Sequence, residues 1–364
     1  MEKEENIDNT YKQDFEHILT LITEARNRVY SKANSELVLL YFNVGKVVSD
    51  RVNTGKWGEN TVQQLADFIQ SKAPNLSGFN RRGLYRMKQF FEIYTPENEV
   101  FRLWLDTQNS KVSPPATQIS EDIQKVSPVA TLLQIAENQH IKFISTVLTQ
   151  ITWANHLEIF SAVKQPEQIL FYLLMNIKEK WSKLEIRRQI KTASFERTML
   201  SNKLLSSVQT TLPDNFFKDP YIFEFLDLPD LHSEKDLEKS IILNLKKFIL
   251  EIGKDFTYMG EQYRIQVGNK DFRTDLLFYH RELNCLVLFE LKIEDFEPEF
   301  LGKLEFYLES LDRFVKKPHE NPSIGILLCK GKDTEVVEVA MSRALSPAIV
   351  ADYETKLIDK RLLA

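Results

Sequence analysis

Cysteine is almost missing from this chain: Cys285 and Cys329 are the only two, and both fall inside apolar runs. That excludes a disulfide scaffold, and the two thiols read as small core residues of a protein kept in a reducing cytoplasm. Long apolar runs are missing too. No stretch reaches the about 18 apolar residues a membrane span requires, so neither a transmembrane helix nor a membrane partner is expected. The opening MEKEENIDNT is acidic and polar, the opposite of a signal peptide. The six histidines form no HxxxH or Cys/His cluster, which leaves zinc without a ligand set. A strong charge excess is also absent. The net charge of −5 does not announce a nucleic-acid binder, although such binding depends on local clusters of Lys and Arg rather than on the total.

What is present is a globular composition, 43% apolar and 27% charged over 364 residues, too long for one core of ordinary size. Two domains are therefore expected. Residues 11–94 read as helices. Ile18, Leu21 and Ile22, then Leu37, Leu40 and Tyr41, then Val44 and Val47 recur at helical spacing. VNTGKWGEN interrupts that run, TVQQLADFIQSKA resumes it, PNLSGFN turns, and RRGLYRMKQFFEIY supplies a third helix. This order matches a helix-turn-helix or winged-helix-like module. Arg81, Arg82, Arg86 and Lys88 gather on the third helix among aromatic residues and are candidates for contacting nucleic acid, against the alternative of a solvated basic face.

Residues 106–129, polar and holding three prolines, read as a linker. Helical pattern returns from about Leu132 to Leu205, where Arg187 and Arg188 belong to a second basic set. The helical domain is thus placed at 11–205. After TTLPDNFFKDP the grammar changes to helix, strands, helix, strand, helix, strand, which predicts a mixed α/β domain at 218–364. Within it, EKDLEKSIILNLKKFILEIG reads as one helix stopped by Gly253.

The chemistry concentrates in the strands DFRTDLLFYH and CLVLFELKI, joined by RELN into an expected antiparallel hairpin. With the turn centred between Glu282 and Leu283, Asp275 stands opposite Glu290, and like charges so placed are destabilising. Lys292 shares the face of Glu290 because strand side chains alternate. Glu238, on the preceding helix, sits at the edge of the core-facing stripe. Paired carboxylates need a compensating charge, and Mg²⁺ or Mn²⁺ with hard oxygen ligands supplies it. A lysine two residues on can then orient a metal-activated water or offset the charge of a phosphate. An ordinary ion pair at a sheet end is the competing reading.

The order helix with Glu, strand, Asp strand, E-x-K strand, helix resembles the PD-(D/E)xK nuclease superfamily. FKDPYIFEFLDLP, DLLFYHRELNCLVLFELK and FEPEFLGKLEFYL are similar to the C-terminal domain of the YhcG-like nucleases. YFNVGKVVSDRVNTGKWGENTVQQLADFIQ, GFNRRGLYRMKQFFEIY and WSKLEIRRQI resemble that family's helical N-terminal domain. The resemblance implies a restriction-endonuclease-like fold for the second domain, Asp275 and Glu290 as metal ligands, Lys292 as catalytic lysine and Glu238 as the acid of the first helix. It puts Gln262 and Tyr307 at supporting positions. Thr274 stands where the superfamily's name has proline. The implied activity is metal-dependent hydrolysis of phosphodiester bonds, with DNA as substrate, RNA not excluded, and a homodimer as one means of cutting both strands. Two other readings stay open: a non-cleaving DNA-binding or partner-recruiting protein that keeps the nuclease fold as a scaffold, and a helical interaction protein with an accessory α/β domain.

Overall fold

The computed structural model describes residues 9–57, 59–110, 128–207, 217–229, 231–342, 344 and 346–357. It divides into two compact units, the first ending at Arg187 and the second beginning at Arg188. Among the described residues, no helix is long and apolar enough to cross a membrane.

The first unit is helical: α1 (Asn9–Asn53), α2 (Glu59–Lys72), α3 (Arg81–Ile93), α4 (Glu99–Ser110), α5 (Pro128–Thr146), α6 (Trp153–Ala162) and α7 (Pro166–Glu179), with α8 (Lys183–Lys191) running across the division. Both ends of the stretch expected as a linker are therefore helical, in α4 and at the start of α5; residues 111–127 lie outside the described residues. The α2–loop–α3 order matches a helix-turn-helix, and Asn80 caps α3 by accepting from the Gly83 amide. No strand accompanies it among the described residues of this unit. Helix α1 lies against α3 at Gly45, where a Cβ would meet the Met87 carbonyl oxygen at 2.0 Å. Around this contact Phe90 packs against Phe42, Trp153 and His156. His156 is a core histidine, depressed to about 4 by burial and bonded through Nε2 to the Leu148 carbonyl at 2.9 Å.

The second unit contains α9 (Ser194–Ser207), β1 (Tyr221–Ile222), α10 (Glu234–Leu243), α11 (Leu245–Ile252), β2 (Phe256–Val267), β3 (Lys270–His280), β4 (Cys285–Leu291), α12 (Glu299–Phe314), β5 (Asn321–Cys329), α13 (Thr334–Met341) and β6 (Ala348–Glu354). The end of α8 and all of α9 thus pack with the α/β unit, an earlier division than the polar stretch after residue 205 suggests. The physical reason is a buried ion cluster. Glu251 is fully buried; its burial alone would raise its pKa, but Arg197, Lys218 and Arg188 outweigh that and hold it far below the carboxylate range. Arg197 is itself wholly buried. It also donates to the carbonyls of Thr192 and Pro220 at 2.8 and 2.9 Å.

The six strands lie in the order β1-β6-β5-β4-β3-β2. Strands β2, β3 and β4 are antiparallel, while β4, β5, β6 and β1 are parallel. Every residue of β4 is buried, as suits a central strand covered on both faces. One face packs Phe278, Val287, Phe289 and Leu328 against Leu237 and Ile241 of α10 and Phe248 of α11. The other packs Leu277, Leu288 and Leu327 against Leu304, Leu308 and Leu311 of α12. Helix α12 comes close because position 325 on β5 is glycine: a Cβ there would lie 2.8 Å from Leu304. The helix expected over 234–253 is broken at Asn244, whose amide donates to the Ser240 and Ile241 carbonyls. The bend lets Leu237 and Ile241 share one core with Phe248 and Ile252.

Candidate functional site

The hairpin register agrees with the sequence reading. The β3/β4 ladder runs from His280↔Cys285 to Leu276↔Phe289, and the next step along it is Asp275 and Glu290. Alternation puts both on the α12 face of the sheet, with Leu277 and Leu288. Beyond them the Leu291 amide turns to donate to Asp275 Oδ2 at 2.8 Å. The Lys292 amide donates to the Leu328 carbonyl of β5 at 2.8 Å. The charged residues therefore sit where the antiparallel half of the sheet parts from the parallel half.

Glu290 is wholly buried. Its Oε1 receives the ammonium of Lys303 from α12, and Lys292 Nζ lies 3.4 Å from the same oxygen. Its Oε2 is buried with no partner. Burial, then the neighbouring Asp275, raises the Glu290 pKa from its ordinary value, and the two lysines only partly oppose this. Burial likewise raises Asp275 against the Leu291 amide and the same lysines. Lys303 is held protonated: its burial works the other way, but the Glu290 carboxylate outweighs it. Lys292, 9% exposed, also donates to the Leu291 carbonyl at 2.9 Å, reaches Glu234 at 3.4 Å and sits 5.6 Å above the Phe300 ring.

Glu238 is half-buried and accepts from Gln262 Nε2 at 2.8 Å. Burial raises its pKa, and the Asp275 charge adds to this. Gln262 occupies the left-handed region, φ 46°, inside a strand. A non-glycine residue held there stores strain of order 1 kcal/mol or more, and such residues cluster at functional sites. It lies between the pairs Glu261↔Leu276 and Tyr263↔Thr274, and hence opposite Asp275. Tyr307 is buried on α12 with the Lys303 ammonium 5.4 Å from its ring. The fold thus brings Asp275, Glu290, Lys292, Glu238, Gln262 and Tyr307 to one end of the sheet.

Two families of known proteins match the chain in turn. Residues 17–111 and 129–197 match the DUF1016 N-terminal domain, and residues 214–363 match the YhcG PDDEXK nuclease domain. A protein of Escherichia coli (strain K12) named "Putative nuclease YhcG" is 28% identical over 369 residues, which is 97% of this chain and 92% of that protein. The chain belongs to the YhcG-like PD-(D/E)xK nuclease family. A solved structure described as "crystal structure of a repair endonuclease from Pyrococcus abyssi" aligns with 35% of this chain and 49% of its own. At 14% identity and a TM-score of 0.24, that likeness carries no argument.

In this YhcG-like chain, sequence reasoning missed Lys303 and Glu234. Each carried a faint signal: Lys303 precedes Tyr307 by one helical turn, and Glu234 precedes Glu238 by one. The basic residues fare unequally. Arg81 and Arg82 are exposed at the first turn of α3, with Arg81 5.8 Å from the Tyr85 ring. Arg86 is half-buried. Lys88 is engaged by Glu92 at 2.6 Å, and that carboxylate also accepts from Ser49 and Asn53. Arg187 binds Glu158 through two bonds of 3.1 and 2.7 Å. Arg188 must be withdrawn as a nucleic-acid contact, because its guanidinium points inward to Glu224, Glu251 and the Ile222 carbonyl.

Proposed function

We propose that this chain hydrolyses phosphodiester bonds of DNA in a metal-dependent reaction carried by the C-terminal unit. The observation behind the proposal is the pair of half-buried Asp275 and buried Glu290, both shifted toward neutrality, with Glu290 Oε2 left without a partner. Such a pair is unfavourable alone, and a hard divalent cation relieves it, so the residues fit Mg²⁺ or Mn²⁺. Asp275 and Glu290 would hold the ion. Among the described residues no third Asp, Glu, His or Cys joins them as a ligand cluster. That suits Mg²⁺, which keeps several waters and takes substrate phosphate oxygens. When bound, the ion supplies a Lewis acid and a water of lowered pKa.

The chain's own residues do the rest. Lys292 orients the attacking water from beside Glu290. Lys303, which pairs with Glu290 here, would offer its ammonium to the phosphate. Glu238, fixed by Gln262, orders the waters beyond the first ligands. Arg81 and Arg82 sit at the positive end of the α3 dipole, where cations are disfavoured unless an anion arrives. This supports a backbone-phosphate contact there, and Arg86, Lys88 and Arg187 are nearby or second-rank candidates because ion pairs or burial engage most of them. A homodimer would offer one site to each strand.

Cleavage of labelled DNA by the purified chain in Mg²⁺, Mn²⁺ or EDTA tests the proposal, with linear, single-stranded and branched DNA and an RNA arm. Metal-dependent cutting lost in both Asp275→Asn and Lys292→Met is the expected result. Salt-dependent binding without cutting, unchanged by Asp275→Asn, would instead favour the scaffold reading.

A further inference from the structure

Helix α1 carries apolar residues on two opposite faces, and among the described residues only one of them is covered. Val38, Tyr41, Phe42 and Val48 are buried on the inner face. Asn34, on that same side, donates to the carbonyls of Thr149 and Ile151 at 2.9 and 3.1 Å. On the outer side, positions 18, 22, 25, 29, 32, 36, 40, 43 and 47 recur by threes and fours, the spacing of a coiled-coil seam sustained over about four heptads. Ile18, Ile22, Val29, Leu40 and Val47 on this seam are 52%, 51%, 68%, 46% and 53% exposed. Leu21 flanks them and is 49% exposed. A soluble chain does not leave an apolar stripe about 40 Å long uncovered without a partner.

We infer that this stripe is the dimer interface of the protein, occupied by the same helix of a second copy running antiparallel. The seam is self-complementary in that arrangement. With the two-fold axis at residue 34, Lys32 of each copy meets Glu36 of the other at the centre. Val29 then falls beside Leu40, and Ile22 beside Val47, each within one residue of strict opposition. Lys32 and Glu36 are both exposed, and they are the two charged residues that interrupt the apolar run. A polar pair at the seam's midpoint sets register and orientation, which an apolar seam alone would leave free. A second observation points the same way. An apolar hollow of about 360 Å³, lined by Val44, Val47, Trp57, Leu65, Ile69 and Phe79, opens at the Val47 end of the stripe. That is the end where the partner's Ile18 and Ile22 arrive in this register.

The inference stands apart from the nuclease reading, since a monomer could still cut and a dimer could be inert. Its test is sedimentation equilibrium of the full chain across micromolar concentrations. The wild type is expected to sediment as a dimer, and Ile22→Glu with Val29→Glu as a monomer with unchanged far-UV circular dichroism. Lys32→Glu and Glu36→Lys should each weaken association roughly tenfold or more, and the double swap should restore it, because only the cross-chain pair is recovered. Cysteines placed at Ile22 and Val47 should form an interchain disulfide, with native Cys285 and Cys329 buried and silent. A wild-type monomer overturns the inference. So does a dimer that survives the two glutamates, a double swap that fails to rescue, or a stripe covered by other residues of its own chain.

Discussion

Replacing Asp275 by Asn should stabilise the metal-free protein while removing its metal response. Asp275 and Glu290 occupy the next step of an antiparallel ladder, where opposed Cβ atoms stand roughly 5 Å apart. Two negative charges at that separation repel by 332/(20 × 5), about 3 kcal/mol at an effective dielectric of 20. Lys303 and Lys292 both lower Asp275 and so offset part of this repulsion. Taking half as offset leaves about 1.5 kcal/mol, and each kcal/mol shifts Tm by roughly 2–4 °C in a domain of this size. Asn keeps an oxygen for the Leu291 amide, so no hydrogen bond is lost. The expected gain is about 3–6 °C in EDTA at pH 7.5, read by thermal unfolding of the full chain.

The pH dependence follows from the same residues. Both carboxyls are raised in the folded state. Their contribution is therefore fully present below the unfolded carboxylate value of about 4, and is lost as pH rises through their elevated folded values. The advantage of Asp275→Asn should be largest at neutral pH and vanish in acid. Mg²⁺ should close the gap from the other side, stabilising the wild type by about 2.7 kcal/mol at a hundred times its dissociation constant and leaving the variant nearly unmoved. If Asp275→Asn melts below the wild type in EDTA, or Mg²⁺ raises both equally, the reasoning about the carboxylate pair is wrong.

Three further perturbations probe other parts of the molecule. Glu251→Gln leaves the buried Arg197 guanidinium without its counter-charge and should cost about 3 kcal/mol or more, lowering the α/β unit's Tm by roughly 10 °C. Its folded pKa is depressed, so its stabilisation is present above about 4 and lost as pH falls further, opposite in sign to the nuclease carboxyls. Gly45→Ala drives a methyl into the Met87 carbonyl and should destabilise the helical unit by about 1–3 kcal/mol; limited proteolysis would detect its cleavage at lower temperature, with the α/β unit intact. Arg81→Glu with Arg82→Glu should weaken DNA binding and reduce the salt slope by about 2 without changing the metal response, as measured by binding titrations at several salt concentrations.

The parts of the fold legible in sequence are those governed by local period. The RELN turn sets the β3/β4 register, and a one-residue slip would turn Phe278 and Phe289 off the α11 core. The order of helices and strands followed from the same periodicities. What did not follow was the partner of each face. Ile18, Leu21, Ile22 and Val47 keep helical spacing as faithfully as Val38 and Val48, yet only the second pair is buried. Periodicity reports that a face is apolar and is silent on what covers it. Arg188 shows the converse, since its neighbours in sequence are basic while its neighbours in space are Glu224 and Glu251.

Lys303 marks the limit most clearly, and it also explains why the site can fold at all. A buried Glu290 beside a half-buried Asp275 on adjoining strands would oppose hairpin formation if nothing neutralised the two carboxylates. Lys292, the residue after the end of β4, reaches Glu290 only at 3.4 Å and divides its ammonium among Glu234, Glu290 and the Leu291 carbonyl. Lys303 comes from a helix placed by the packing of Leu304 onto Gly325, so it meets Glu290 only after the sheet and α12 have joined. It is half exposed at the side chain. In the proposed reaction the same ammonium would serve folding without metal and the phosphate with it. The E-x-K spacing at the end of one strand encodes the first lysine, and only the packing of α12 on β5 supplies the second.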